Sequence, residues 1–246
     1  RQFLDQALNT RSDSLSNFNR KIAGKYKAGL GLRYLADYIG DTIISSSFKE
    51  FYKKNKLNFA KSESFKKIVS KKTSKDINWF FDEYLTTDKK IDYTIKKAVV
   101  LNDSVYVTIK NKRNITAPVA LYGLKKKQVK FKKWLTNIDS TTTVAIPKNG
   151  FDRVSLNFEN SYPEFNSMDN WKKVGKNILN KPIQFKLYKD INDPYYHQIY
   201  LQPNIKYNYY DGALLGLRIH NKPILSRNFQ FSITPQYGTK SNSLNG

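Results

Sequence analysis

The chain of 246 residues contains no cysteine, two histidines, one methionine and a minority of acidic side chains. Without cysteine there are no disulfides, thiolate metal centres or cysteine nucleophiles, and the redox compartment stays open. His197 and His220 are the only histidines, placed on what read as neighbouring strands with no carboxylate motif between them. A histidine-built zinc site is hard to assemble from that supply. No run of about 18 apolar residues occurs, which excludes a membrane-spanning helix and leaves a spanning β-barrel open. No signal peptide pattern stands at the start, internal repeats are absent, and low complexity goes no further than scattered lysines. The first residue is Arg1 rather than methionine, and strand-like alternation runs almost to the closing "SNSLNG". Both features read as a piece of a longer protein.

The shortage of acids leaves a strong field. Lys and Arg number 43 against 20 Asp and Glu, a formal net charge of +23. Such a surface draws anions: nucleic acid, acidic lipid or lipopolysaccharide, or acidic substrates. Against these shortages stands an ample apolar supply, 39% hydrophobic with 14% aromatic. That is enough for one large domain or two to three small ones.

The hydrophobic period divides the chain. Over residues 1–90 it is helical. Asp13 or Ser14 is placed to cap a short helix containing Leu15, Phe18 and Ile22. A second helix carries Leu30, Leu32, Leu35 and Ile39 and ends at Gly40. Ile43, Ile44, Phe48, Phe51 and Tyr52 repeat at helical spacing; Ser62 or Ser64 precedes Phe65, Ile68 and Val69. Ser74 or Asp76 opens "DINWFFDEYL", with Ile77, Phe80, Phe81 and Tyr84 inward. The outer faces are mostly lysine, as in an antiparallel set of helices.

From residue 91 the period is two. "YTIKKAVVL" and "DSVYVTIKN" are joined by an Asn102-Asp103 turn, with Val105, Val107 and Ile109 alternating with Tyr106, Thr108 and Lys110. "PVALYGL", "TTTVAI" and "DRVSLNF" add short strands at sandwich-like intervals. After a linker containing "NSYPEFNSMDNWKK", longer strands follow in "NIKYNYYDGALLGLRIHN" and "NFQFSITPQYG". Ile205, Tyr207, Ala213, Leu215, Leu217, Ile219, Phe229, Phe231 and Ile233 alternate there with polar residues. Strands of this kind, rimmed by tyrosines, fit the pattern of an outer-membrane barrel and equally a soluble sheet with one wet face. Three such strands cannot close a barrel.

Three constellations bear on chemistry. The lysine-rich helices with Tyr52 or Phe59 as stacking platforms suggest nucleic acid, but the aromatics fall at core spacing and no nucleic-acid motif accompanies them. Asp82 with Glu83, and Asp190 with Asp193, have no supporting histidine or helical i, i+4 relation, and capping or turn formation explains them better than acid/base work. The third is Tyr26, in "GKYKAGLGLRYL", where a tyrosine stands at a helix start ahead of Ala28 and Gly29. A tyrosine there ordinarily covers a core edge with its hydroxyl in water.

The order of these pieces adds a resemblance. Tyr26 to Gly29, Leu32 and Leu35, the aromatic helix Trp79 to Leu85, and the strand Val105 to Asn111 together resemble the later half of zinc metallopeptidases of the aminopeptidase N family, the gluzincins. The resemblance covers residues 10 to 165. It implies zinc-dependent peptide hydrolysis in which Tyr26 aligns with the tyrosine that donates to the developing oxyanion. Ala28 and Gly29 would allow a close approach of this helix to the catalytic elements. Ala28 stands where the family has lysine. The HExxH helix, the downstream glutamate ligand and the substrate-amine motif are absent, so zinc is expected on residues upstream of this segment and the segment alone is not expected to be active. Residues beyond 195 are similar to the opening strands of bacterial surface-antigen-type outer-membrane barrels.

The expected fold is therefore multidomain α plus β. Residues 1–90 are the helical C-terminal portion of a peptidase catalytic domain, 91–165 a small antiparallel β-sandwich, 166–194 a linker, and 195–246 the first strands of an outer-membrane-type β-barrel. The expected partners are a peptide substrate and outer-membrane lipid or lipopolysaccharide, with no nucleic acid, at a bacterial outer membrane or cell surface. A non-catalytic surface or scaffold protein that keeps the peptidase fold is the alternative, and a basic nucleic-acid-binding protein is a third.

Overall fold

Helical winding begins at Asn17 and continues unbroken to Ile39 in the computed structural model, which describes residues 5–113, 115–175, 180–224 and 229–245. The two helices expected here are thus one. Ser16, rather than Asp13 or Ser14, meets its first turn: its Oγ accepts from the Asn19 backbone N–H at 3.3 Å and from the Asn19 side-chain amide at 2.8 Å. Asp13 and Ser14 instead belong to a turn closed on Arg11. The segment Asn19–Ala23 is wound wide, with the Gly24 N–H reaching back five residues to the Asn19 carbonyl. It passes into α1 (Gly24–Ile39), which stops at Gly40 with φ at +114°. Two further helices follow, α2 (Asp41–Asn55) and α3 (Ser62–Ser70), neither with a side-chain cap.

Asp76 opens the aromatic segment by accepting from the Asn78 N–H at 2.9 Å. Trp79–Tyr84 is again wound wide, and Trp79, Phe80, Phe81 and Tyr84 are all buried. The larger turn brings Trp79 inward, a residue that the 3.6 period had left outside. In α2 the expected apolar run is less complete. Ile44 is buried, Phe48 stacks on Phe65 with centroids 4.5 Å apart, and Tyr52 points to solvent.

Seven strands complete this part: β1 (Tyr93–Leu101), β2 (Ser104–Asn111), β3 (Val119–Lys125), β4 (Gln128–Leu135), β5 (Thr141–Pro147), β6 (Arg153–Leu156) and β7 (Trp171–Lys173). They form a sheet in the order β1-β2-β5 and another in the order β4-β3-β6-β7, antiparallel throughout. Asn102, at φ 52°, makes the two-residue β1–β2 turn. Val105, Val107 and Ile109 are fully buried, as the alternation requires. A register shift between Ile95 and Lys97 puts Lys96 and Lys97 both outside.

Two of these strands were not expected. β4 carries three lysines and is exposed along most of its length, the composition of an edge strand. β7 lies inside the stretch read as a linker and pairs with β6.

Helices and sheets share one buried cluster. Tyr34 of α1 lies with its ring 4.5 Å from those of Trp79 and Tyr162, and its hydroxyl donates to the Pro118 carbonyl. Lys132 of β4 reaches Asp37 of α1 at 3.1 Å and Glu159 at 2.8 Å. No break in packing falls at residue 90. The chain divides instead into two compact units, Arg1–Lys176 and Asn177–Gly246.

The second unit contains β8 (Ile183–Leu187), β9 (His197–Asn208), β10 (Gly212–His220), β11 (Ser232–Ile233), β12 (Gln236–Gly238) and β13 (Ser243–Asn245). Their order is β13-β12-β10-β9-β8, with β11 paired to the end of β10 at Ile219 and His220 and β12 to its start at Leu214 to Gly216. The pairings are antiparallel except β8 with β9, and β8 again lies in the expected linker. The third expected strand is split into β11 and β12 around Thr234 and Pro235, since proline cannot donate to a ladder. Its first residue, Asn228, and the final Gly246 lie outside the described residues. The described strands leave β8 and β13 as free edges, and none of the described helices is long and apolar enough to cross a membrane.

This sheet has two unlike faces. Ile205 lies opposite Leu215, Pro203 opposite Leu217, and Tyr237 opposite both Leu215 and Leu244. Directly opposed residues share a face, so these form one apolar surface, and Ile205 is 74% exposed. Gln198, Tyr200, His220 and Gln236 on the other face are buried.

Candidate functional site

Tyr26 sits in the first turn of α1 with 71% of its surface exposed. Phe18, Ile22, Tyr26 and Leu30 follow one another at intervals of four, which sets them along one side of the helix. All four are exposed. Gly29 lies beside this stripe, and a Cβ built on it would meet nothing within 4 Å. The close approach expected at Ala28 and Gly29 occurs within this chain at Gly31 instead, where a Cβ would collide with the Tyr84 ring. The opposite side of α1, with Gly31, Tyr34, Leu35, Tyr38 and Ile39, faces the core. A tyrosine at a core edge would be half-covered; Tyr26 stands on an open helix face.

The other candidates do not gather around it. Asp82 accepts from Lys66 at 2.8 Å and Glu83 pairs with Lys89 at 3.3 Å. Asp190 pairs with Lys186, and Asp193 accepts from the Tyr195 N–H at 2.9 Å in a local turn. Tyr52 and Phe59 are exposed, contrary to the core role their spacing suggested. His220 is buried, 3.1 Å from Gln202 and accepting from the Lys222 N–H, while His197 is exposed and opposite Ile183 on β8. Among the described residues no three His, Asp or Glu side chains converge in a way that could hold a metal ion.

A cavity of about 390 Å³, not foreseen from the sequence, opens beside α1 between Lys27, Leu30, Tyr84, Lys90, Glu164 and Phe165. The wide-wound aromatic segment supplies Tyr84, whose hydroxyl donates to the Lys27 carbonyl at 2.9 Å. Glu164 accepts from the Tyr93 N–H at 2.9 Å and from the Asn170 amide. Burial pushes the Glu164 carboxyl up to about 8, with Asp92 adding to the shift, while the bonds from Tyr93, Asn170 and Asn157 oppose it. The Asn170 side-chain oxygen, Oδ1, is buried without a partner. Rotating that amide by half a turn would let it accept from a protonated Glu164. Sequence reasoning missed this site because its walls come from four separated segments and none carries a recognisable motif.

No family model matches the sequence, and no curated protein matches it. Among solved structures the chain is similar to aminopeptidase A of Legionella pneumophila, crystallised in complex with aspartic acid. The TM-score is 0.50 at 19% identity, over 59% of this chain and 18% of that one. The chain thus spans less than a fifth of that protein's length, and a likeness at this identity is one of fold: a mixed α plus β chain with antiparallel sheets, related in its fold to part of a peptidase.

Proposed function

We propose that this chain is the later part of a membrane-anchored zinc metallopeptidase of aminopeptidase type, in which Tyr26 donates a hydrogen bond to the oxyanion formed at the scissile carbonyl. The observation that carries this reading is the open apolar stripe around Tyr26, on the helix that the resemblance assigns to the oxyanion donor. A phenol is a neutral donor at pH 7, and its bond strengthens as charge accumulates on the oxygen. The described residues offer no donor set for zinc. In this reading the metal belongs to residues outside this sequence, as the absence of an HExxH helix in it implies, and the part assigned to this chain is the phenol and the packed platform beneath it. Tyr84 under Gly31, and Tyr34 against Trp79 and Tyr162, hold α1 from its buried side.

In a protein that includes the residues preceding Arg1, Tyr26→Phe is expected to lower kcat for peptide hydrolysis about 10²- to 10³-fold at unchanged zinc content. Unchanged turnover would remove Tyr26 from the mechanism. A preceding segment without HExxH would favour the non-catalytic surface or scaffold protein.

The membrane part of the reading rests on the second unit. Its apolar sheet surface runs from β8 to β13 and ends in exposed Tyr207, Tyr209 and Tyr210, with Lys240 4.4 Å over the Tyr209 ring. An apolar band bordered by tyrosines suits a bilayer and its interface. The +23 charge suits lipopolysaccharide phosphates at the bacterial outer membrane or cell surface. Residues 195–246 are on this reading the first strands of a barrel. The longer protein is expected to need detergent for solubility, and a stable monomer in plain buffer would count against the anchor.

A further inference from the structure

The cavity beside α1 has a charge that its own side chains leave unanswered. Lys90 pairs with Asp5, and Lys89 with Glu83. Lys27 Nζ meets the backbone carbonyls of Gln6 and Thr87, each at 3.5 Å, and lies 5.8 Å from the centroid of the Tyr84 ring. Among the described residues no carboxylate lies within ion-pair distance of it. Burial is the main cause that pushes the Lys27 ammonium below its ordinary range, and Lys90 adds to the shift while Asp5 and Asp88 oppose it. Glu164 is held largely neutral at pH 7 by its burial, so it adds little negative charge to the wall.

The rest of the lining is apolar or aromatic: Leu30, Ile91, Tyr84 and Phe165. A partly desolvated ammonium beside aromatic walls is stabilised by a ligand that brings one negative charge and an apolar body. A cationic ligand would repel Lys27 and Lys90, and a neutral one would leave the ammonium unmatched. We propose that this cavity binds a small monocarboxylate with an aromatic or aliphatic body, its carboxylate on Lys27 and its body between Tyr84 and Phe165. Lys27 follows Tyr26 in sequence, but successive helical residues point about 100° apart, and Tyr26 does not line this cavity. Leu30 borders both this cavity and the Tyr26 stripe, but no role of Tyr26 enters the binding argument, so the proposal does not rest on the hydrolytic reading.

Calorimetric titration of the 246-residue chain at pH 7 with benzoate tests the proposal, with benzylammonium and benzamide as controls of similar size. Benzoate is expected to bind with one-to-one stoichiometry and the controls to bind at least about tenfold more weakly, the scale of a charge-assisted hydrogen bond. Lys27→Met should weaken benzoate by a similar factor while the unfolding midpoint stays unchanged, and Lys27→Arg should restore most of the affinity. Should Lys27→Met fail to fold, benzoate is expected to protect Lys27 of the unaltered chain from amine acylation, read by peptide mass spectrometry. No benzoate binding at about 20 mM, where a millimolar ligand saturates, would overturn the proposal. So would equal binding of benzylammonium or benzamide, undiminished affinity of a folded Lys27→Met, or unprotected Lys27.

Discussion

The same two-residue hydrophobic period has opposite outcomes in the two units. In β2 the alternating Val105, Val107 and Ile109 are fully buried, and Tyr106 and Lys110 are outside. In β9 and β10 the alternating Ile205, Tyr207, Leu215 and Leu217 are exposed, and their polar neighbours Gln198, Tyr200 and His220 are covered. Alternation thus fixes that a strand has two unlike faces; it does not say which face meets the solvent, because that depends on what else the chain can bring to cover it. The first unit has helices whose inner sides hold Tyr34, Trp79 and Phe80 against its sheets. The described residues of the second unit contain no helix to lay over a sheet.

This contrast is most easily broken by truncation. Ile109→Ala should cost about 2–5 kcal/mol, the range for emptying a buried aliphatic site. Ile205→Ala, on the open face, should stay within about 0.5 kcal/mol in water. Urea unfolding followed by circular dichroism compares the two. An equal loss at Ile205 would mean that the outer face of the second unit is a packed interface in solution, and the comparison would fail.

A pH-dependent effect separates buried polar groups in the first unit from apolar ones. Glu164 titrates near 8 in the folded chain, against an ordinary 4.5. Between those values the folded state holds a proton that the unfolded state releases. The stability from this group is therefore complete below about pH 4.5 and declines as pH rises through about 8, with a slope of at most about 1.4 kcal/mol per pH unit. Glu164→Gln, which keeps the shape without the titration, should flatten that decline in thermal melts taken from pH 5 to 9. An unchanged profile would place the titrating group elsewhere.

The readability of the fold follows the same logic. β2, β5 and the α2–α3 helices were visible because their patterns are short-range and one face is buried by neighbours within the same unit. β4 and β8 were missed: lysines and exposure along most of β4 erase the contrast that alternation depends on, whereas β8 is only five residues long and its alternation of Ile183, Phe185 and Leu187 with Gln184 and Lys186 fell in the stretch read as a linker. β7 was missed because three residues, Trp171 to Lys173, are too few to show a period, and only pairing with β6 makes them a strand. The wide turns at Asn19–Ala23 and Trp79–Tyr84 change the number of residues per turn, so a 3.6 period misplaces Trp79 and splits one helix into two. Of the candidate residues, Tyr26 was singled out through a resemblance. The cavity on the neighbouring azimuth of the same helix depends on residues far apart in sequence and was invisible.

The finest test of inside against outside lies on one helix. Gly29 and Gly31 are two residues apart in α1, so their α-carbons face different sides. At Gly31 the Tyr84 ring occupies the place of a side chain, and Tyr84 is itself held by its hydroxyl bond to the Lys27 carbonyl. Gly31→Ala should therefore cost about 1–3 kcal/mol, the range for overpacking. At Gly29 the space is empty, and Gly29→Ala should stabilise the helix by about 0.5–1 kcal/mol through the loss of backbone freedom in the unfolded chain. Opposite signs in thermal melts would mark one side of α1 as closed and the other as open. In a longer protein where the Tyr26 side packs against a preceding segment, Gly29→Ala should lose its benefit or become unfavourable. A gain that persists there would leave Tyr26 facing solvent, too far from any zinc-bearing part to donate to an oxyanion.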